Sequence, residues 1–227
     1  MKRGLATAAI IFLVIVLFLT SIELVAFDLA FYKREYEKLN IAQSTGMSDE
    51  ALIRVTEELL NYLRDERDDL VITAVIDGES RPVFNEREIA HMVDVKDLFL
   101  GGVNLRIISA VCFAVSLLLL YLLAKKGLWG YLAHSFLWVF GVVFLFGIVL
   151  FVLMYKDFTP VWDQFHYIFF TNDLWQLDPR TDILIRIVPE QFFFDTVQRI
   201  LFIFGAAMIV LSIPSFIVVK KQRQRCR

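Results

Sequence analysis

Residues 5–27 read LATAAIIFLVIVLFLTSIELVAF, an apolar run as long as the roughly 20 residues that a helix needs to cross a bilayer core. Three further runs of this kind follow at 107–123, 131–154 and 200–219. Only a helix satisfies its own backbone polar groups in lipid at this length, so we predict four transmembrane helices. Hydrophobic residues make up 58% of the chain, above the roughly 45–50% of soluble domains, which agrees with this prediction. The first run is too long for a secretory signal and has no clean small-x-small cleavage site, so we expect it to be retained.

The distribution of charge predicts how these helices are oriented. Segments 1–4, 124–130 and 220–227 carry basic residues and no acidic ones, and such segments face the cytoplasm. The acidic residues fall in or beside the alternate segments, 28–106 and 155–199, which are therefore expected outside. Both chain ends are predicted to be cytoplasmic. The basic rim follows from topology and from attraction to anionic lipid, without a nucleic acid partner.

The chain is accordingly predicted to be a mainly α membrane protein with four transmembrane helices and a small mixed α/β extracytoplasmic cap. The cytoplasmic pieces are too short for a signalling or nucleotide-binding domain, so function is expected outside or at the outer membrane surface. The predicted parts are the first transmembrane helix (1–27), a cap segment with His91 (28–106), helices two and three with a short cytoplasmic loop (107–154), an aromatic-rich cap segment with His166 (155–199), and the fourth helix with a basic cytoplasmic tail (200–227).

Local signals predict the structure of the first cap segment. The first helix is expected to run on to about Asn40, and Ser48 is expected to cap a new helix after a turn at 44–46. The β-branched run 71–76 predicts a strand that pairs with residues 83–84.

A capping box predicts the helix that carries the first external histidine. Asn85-x-x-Glu88 has the spacing of such a box and lies just before His91. Gly101 and Gly102 are expected to break this helix before the second transmembrane run, because glycine is a poor helix former.

Several familiar catalytic and binding motifs are absent from the sequence. It contains no G-x-S-x-G elbow, H-E-x-x-H motif, P-loop or cysteine pair with zinc spacing. A serine hydrolase, a zinc protease and a nucleotide-driven pump are therefore disfavoured, and we predict no cofactor, nucleotide or metal. The two cysteines are Cys112, within the second run, and Cys226, in the tail, where palmitate could attach but an unmodified thiol is the simpler expectation.

Three histidines remain as candidates for chemistry. His91 and His166 both lie in segments expected outside, where two imidazoles could act as general base and general acid because their pKa values lie near ambient pH. The alternative is a solvated helix residue at 91 and an aromatic-loop hydrogen bonder at 166. A metal site formed by both histidines with an aspartate is less favoured. His134, near the cytoplasmic end of the third run, is expected to pack or lie at the interface.

Charged residues near the two histidines could orient them or stabilise an oxyanion. Asp94 lies three residues after His91 on the same predicted helix and could hold its ring in one tautomer. Asp163 and Asp173 are looser candidates beside His166. Arg106 and Arg199, at the outer ends of two runs, and Arg186, in the loop, are expected to snorkel to the interface. As an alternative, these arginines could bind a lipid headgroup or polarise an ester carbonyl.

The second cap segment is dense in aromatic residues. Trp and Tyr favour the headgroup region, so one interpretation is an interfacial belt. Phe gains less from that location, and a cluster this dense could instead line a pocket for acyl chains. The predicted pocket residues are Trp162, Phe165, Tyr167, Phe169, Phe170 and Trp175.

The histidine motifs resemble those of a known family. They are residues 84–96 (FNEREIAHMVDVK), 165–166 (FH) and 175–179 (WQLDP). Together they resemble the lipoprotein intramolecular transacylase (Lit) family of Gram-positive bacteria, over nearly the whole chain. The resemblance implies a multi-pass protein of the bacterial cell membrane, whose catalytic histidines correspond to His91 and His166.

The resemblance also implies a reaction. Family members move the sn-2 acyl chain of a diacylglyceryl-cysteine lipoprotein to the α-amino group of the same cysteine, which leaves an N-acyl lyso-form lipoprotein. The expected partners are a diacylated bacterial lipoprotein and membrane lipid, and no cofactor is needed because ester-to-amide transfer runs downhill. The alternatives are a non-catalytic lipid or lipoprotein binder or membrane sensor, and an intermolecular acyltransferase or hydrolase that uses the same histidines.

Overall fold

The computed structural model describes residues 1–225, so Cys226 and Arg227, at the end of the predicted tail, lie outside the described residues. The described residues form a mainly helical structure with a two-stranded sheet, and they divide into two compact units. The helical unit comprises Met1–Leu24, Val103–Tyr155 and the chain from Gln198 on, and the mixed unit comprises Val25–Gly102 and Lys156–Val197.

Long apolar helices build the helical unit. Within the described residues, three helical segments are long and apolar enough to cross a membrane: Lys2–Ala26, Glu86–Lys156 and Glu190–Gln224. The second of them contains two of the predicted runs, joined by the 3-10 turn Lys125–Gly127, so four crossings stay a prediction. The helices concerned are α1 (Lys2–Ala26), the second half of α5 (Glu86–Ala124), α6 (Leu128–Lys156) and most of α9 (Glu190–Arg225).

The helical unit exposes apolar side chains on a scale that suits lipid as the solvent. Leu145 and Phe146, for example, are 64% and 67% exposed. Exposed apolar area of this extent marks a membrane or partner surface, and it supports a location in the membrane. One buried cluster lies between the helices and consists of Ile10, Phe136, Val139, Phe204 and Met208.

The first helix ends earlier than predicted. α1 stops at Ala26, and Asp28 caps α2 (Leu29–Leu39) by accepting a hydrogen bond of 3.0 Å from the amide of Ala30. The prediction of one helix to about Asn40 was wrong, because an aspartate that caps a new helix interrupts the old one. Asn40 does end α2, with a left-handed φ of 53°.

Two further helices follow in the mixed unit. α3 (Ile41–Thr45) replaces most of the predicted turn and ends at Gly46, whose φ of 73° favours glycine. α4 (Asp49–Leu63) begins as predicted at Ser48, whose hydroxyl accepts a hydrogen bond of 3.2 Å from the amide of Ala51. That part of the prediction is confirmed.

The sheet is a tight hairpin whose second strand lies earlier in the chain than predicted. β1 (Thr73–Ile76) pairs antiparallel with β2 (Glu79–Pro82), and Ile76 lies opposite Glu79. The prediction of residues 83–84 as the partner strand was wrong in its bounds, although the amide of Val83 donates a hydrogen bond of 2.9 Å to the carbonyl of Ile72. Asp77 and Gly78 both have positive φ, 54° and 87°, and a two-residue turn of this kind pairs the residues directly beside it.

α5 begins at the predicted capping box. The amide of Asn85 donates to Glu88 Oε2 (2.8 Å), and the amide of Glu88 donates to Asn85 Oδ1 (3.0 Å). The helix then continues through Gly101 and Gly102 to Ala124, so the predicted break was wrong. A helical glycine costs about 1 kcal/mol, which weakens a helix without ending it. Two shorter helices complete the mixed unit, α7 (Phe158–Phe169) and α8 (Leu184–Ile187).

Candidate active site

Two helices of the mixed unit bring His91 and His166 together. α5 carries His91 one turn after its capping box, and α7 carries His166 in its last turn. Both side chains are buried, with 7% and 4% of their surface exposed. Their ring centroids lie 6.2 Å apart. The two predicted catalytic residues, far apart in sequence, therefore share one buried location.

The pattern of residues along α7 explains why His166 points inward. Phe158, Trp162 and His166 recur every four residues, so they lie on one face of the helix. Phe158 and His166 are buried, whereas Tyr167 and Ile168 are 62% and 66% exposed. α7 is thus an amphipathic helix whose buried face carries the histidine.

A hydrogen bond determines the tautomer of His166. Its Nδ1 lies 2.9 Å from the carbonyl oxygen of Trp162. Because a carbonyl oxygen can only accept, Nδ1 donates, and the neutral ring keeps its lone pair on Nε2. Burial lowers the pKa of His166, and the Trp162 hydrogen bond and the charge of Asp163 offset that effect only in part. At pH 7 the ring is neutral, with Nε2 able to accept a proton.

His91 is also neutral near pH 7. Burial, together with the charges of His166 and Arg87, lowers its pKa to about 4, and the charge of Asp94 opposes them. Its Nδ1 is buried and has no hydrogen-bond partner among the residues that the structure describes. A ring nitrogen of His91 is therefore available to a ligand.

Aromatic rings enclose the two imidazoles. Trp175 stacks on His166 with the ring centroids 4.5 Å apart and the planes inclined by 21°. Trp162 meets His166 edge-on at 4.4 Å. Phe170 lies 5.6 Å from His166 and 5.3 Å from His91, so it contacts both. Three of the predicted pocket residues thus form the immediate surroundings of the histidines.

The other three predicted pocket residues are exposed. Phe165, Tyr167 and Phe169 have 36%, 62% and 52% of their surface accessible. The ring of Phe165 still meets that of His166 edge-on, at 5.4 Å. Phe169 lines a cleft of about 230 Å³ together with Asp94. This volume is below the roughly 300–1,000 Å³ of typical ligand pockets.

Two predicted acidic residues hold the loop after α7 rather than a histidine. Asp94 accepts a hydrogen bond of 2.8 Å from Asn172 Nδ2. The main-chain carbonyl of Asp173 accepts one from Arg87, whose guanidinium also lies 3.7 Å from the Asp173 carboxylate. Arg87 and Asp94 flank His91 on α5, so the loop is anchored on both sides of that histidine.

The remaining predicted polar residues have different surroundings. Asp163, three residues before His166 on α7, raises the pKa of that histidine through its charge. Arg186, on α8, donates a hydrogen bond to the carbonyl of Ser44. In the described part of the chain no group of three or more His, Cys, Asp or Glu side chains could hold a metal ion, so the alternative of a metal site gains no support.

Glu88 is a buried carboxylate whose full role the sequence did not indicate. Its Oε1 accepts a hydrogen bond of 2.6 Å from the amide of Leu184, in addition to the capping bond from Asn85. It is 1% exposed, and burial raises the pKa of its carboxyl against the effect of these hydrogen bonds. The capping-box spacing predicts the local bond, but no local signal points to Leu184, 96 residues away. Glu88 therefore ties the turn before His91 to α8.

Comparison with known proteins adds a family match. The family "Lipoprotein intramolecular transacylase Lit" matches residues 7–193. No curated protein sequence matches the chain.

Solved structures of Lit from Bacillus cereus share the fold. An in meso structure of this membrane integral lipoprotein intramolecular transacylase superposes with a TM-score of 0.79 at 22% identity, covering 99% of this chain and 98% of that one. A variant of it with one histidine replaced by arginine gives 0.71 at 21% identity, covering 99% and 93%. A variant with alanine gives 0.74 at 22% identity, covering 99% and 96%.

Proposed function

The chain belongs to the lipoprotein intramolecular transacylase (Lit) family, an acyltransferase family of membrane proteins, and we propose that it moves an acyl chain within a single lipoprotein molecule. The chain moves from the sn-2 ester of the diacylglyceryl-cysteine to the α-amino group of the same cysteine. The product is an N-acyl lyso-form lipoprotein. The proposal includes four crossings with both termini in the cytoplasm, which the charge pattern favours, and a site on the extracytoplasmic side.

One observation supports His-based catalysis most directly. Two buried imidazoles, His91 and His166, lie with ring centroids 6.2 Å apart inside an aromatic enclosure. Burial keeps both in the neutral form, which is the form that can accept a proton. A histidine that merely packs needs no second histidine beside it.

The first step forms the new amide. The α-amino group, whose ammonium form has a pKa of about 7.7–8.0, attacks as the neutral amine. His166 Nε2 takes one of the two N–H protons of this amine while the nitrogen bonds to the ester carbonyl carbon. The carbonyl electron pair moves onto oxygen and gives a tetrahedral oxyanion. His166 is the base in this scheme because its Nδ1 is committed to the Trp162 carbonyl.

The second step breaks the ester. The oxyanion pair returns, and the bond between the acyl carbon and the glyceryl oxygen breaks. His91 donates its ring proton to that oxygen and receives a proton from the imidazolium of His166. Both histidines end neutral, the glyceryl carbon carries a hydroxyl, and no cofactor enters because an ester is exchanged for a more stable amide.

The main barrier left for the protein is one of conformation. Amine and ester belong to the same molecule but must meet through a medium-sized ring. Closing this ring costs conformational entropy. An enclosure that holds the substrate folded lowers this part of the activation free energy, by several kcal/mol in well-oriented reactions. The rings of Trp162, Phe170 and Trp175, packed around His166, can form this enclosure.

The test is mass spectrometry of the N-terminal peptide of a reporter lipoprotein. The host should lack its own N-acylating enzyme and express the wild type, His91→Ala, His166→Ala or, as matched control, His134→Ala. We expect the N-acyl lyso-glyceryl peptide with the wild type and the control, and its loss with the other two at equal protein level.

Three other results would contradict the proposal. A diacylglyceryl peptide in every sample would point to a binder. A lyso-glyceryl peptide with a free amine would indicate a hydrolase. Acyl chains transferred from isotope-labelled phospholipid would indicate an intermolecular enzyme.

A further inference from the structure

A buried hydrogen-bond donor lies beside His166 without a partner. Trp175 Nε1 is inaccessible and makes no hydrogen bond to any residue in the described range, 1–225. An indole N–H can only donate, and buried tryptophans usually find an acceptor. Leaving such a group unsatisfied costs of the order of 1–3 kcal/mol. A donor of this kind in a native structure calls for an acceptor that comes from elsewhere.

The indole that carries this donor lies against the proposed base. It stacks on the imidazole of His166, with 4.5 Å between ring centroids and 21° between planes. Tyr167 packs edge-on against the same indole at 5.2 Å. Two aromatic contacts therefore restrict the position of the ring.

The loop that carries Trp175 is anchored to the helix of the other histidine. Arg87 donates to the carbonyl of Asp173, and Asp94 accepts from the side chain of Asn172 at 2.8 Å. Within the loop, Asn172 Oδ1 accepts a hydrogen bond of 3.1 Å from the amide of Leu174. These bonds hold the loop that carries Trp175 in place in the absence of any substrate.

We propose that the indole N–H of Trp175 is the oxyanion donor of this enzyme. This inference rests on the proposed function. The N–H binds the carbonyl oxygen of the sn-2 ester, and its hydrogen bond strengthens when the amine nitrogen bonds to the carbonyl carbon and the carbonyl pair moves onto oxygen. The same bond weakens when the pair returns and the glyceryl oxygen leaves. Trp175 is then a catalytic residue that exchanges no proton.

Two replacements of Trp175 separate the N–H from the ring. Trp175→Phe keeps an aromatic stack and removes the donor. Incorporation of 3-benzothienylalanine at position 175 keeps the two-ring shape and replaces N–H by sulfur. Trp138→Phe is the matched control, because Trp138 lies on α6 and is 67% exposed. Each protein is assayed in detergent with a synthetic diacylglyceryl lipopeptide, and its melting temperature is measured.

We expect kcat to fall by about 100-fold in both Trp175 replacements, the usual effect of losing one oxyanion donor, with KM changed less than about threefold. The control should retain its kcat. If Trp175→Phe unfolds, the benzothienyl protein decides alone. Wild-type kcat in the benzothienyl protein, or a loss confined to KM, would overturn the assignment. A wild type without transacylase activity would instead overturn the proposed function, and the donor role with it.

Discussion

Lowering the pH from 7.5 to 6 should slow acyl transfer by about 20-fold through the substrate amine, with less than about a further fourfold from His166. With an amine pKa of about 7.8, the reactive neutral fraction falls from roughly one third to roughly one sixtieth over this range. The pKa of His91 is about 4, so this ring stays about 99% neutral at pH 6. Burial also lowers the pKa of His166 below 6.5. His91 therefore remains in the proton-accepting form while the amine titrates, and His166 becomes charged at lower pH than an ordinary histidine would.

The expected size differs clearly from that for ordinary histidines. With a pKa of 6.5, each imidazole would be only about one quarter neutral at pH 6. A reaction that needs both neutral would then lose about a further 14-fold, for a total near 300-fold. The sign follows from the lowered pKa values: charging of the histidines, and the loss of rate that it causes, is displaced to lower pH.

The assay is kcat/KM for a synthetic diacylglyceryl lipopeptide in detergent, with N-acyl product measured by mass spectrometry at pH 6, 6.5, 7 and 7.5. Enzyme held at pH 6 and returned to pH 7.5 should recover its full rate, which excludes inactivation. His134→Gln, a replacement of the exposed histidine on α6, should give the same profile. A decrease near 300-fold would refute the argument that burial lowers the pKa of both histidines.

Two further predictions concern stability, and melting temperature in detergent tests both. Glu88→Gln should destabilise by about 1–3 kcal/mol, because each carboxylate oxygen accepts from a different backbone N–H and an amide replaces one of these acceptors by an NH2 donor. The exposed first-turn variant Glu86→Gln should change little, and equal shifts would contradict the role of Glu88. Gly46→Ala should destabilise more than Gly78→Ala. Both glycines have positive φ, but a Cβ at 46 would lie 2.2 Å from Asp77 Oδ1, whereas one at 78 meets nothing within 4 Å. Equal losses would show that the clash is relieved at no cost.

Two helix starts were predicted correctly from the sequence, and in both the hydrogen-bonded partners are close in the chain. Ser48 and the Asn85–Glu88 box were predicted as helix starts, and their capping hydrogen bonds are present. Each bond spans three residues, so the interacting groups are adjacent in the chain itself. The break predicted at Gly101 and Gly102 was wrong, because a propensity of about 1 kcal/mol per residue does not decide whether a long helix continues.

The sequence by itself determined that the long apolar runs form helices in lipid, because only a helix of that length satisfies its own backbone hydrogen bonds there. It also indicated His91 and His166, the two histidines of the polar segments, as candidate catalytic residues. Only the tertiary structure decided that their rings lie 6.2 Å apart, that Leu184 donates to Glu88, and that Trp175 stacks on His166 with its N–H unpartnered. These contacts join residues from different helices and loops, and their distances follow from the packing of the whole mixed unit, which no local pattern encodes.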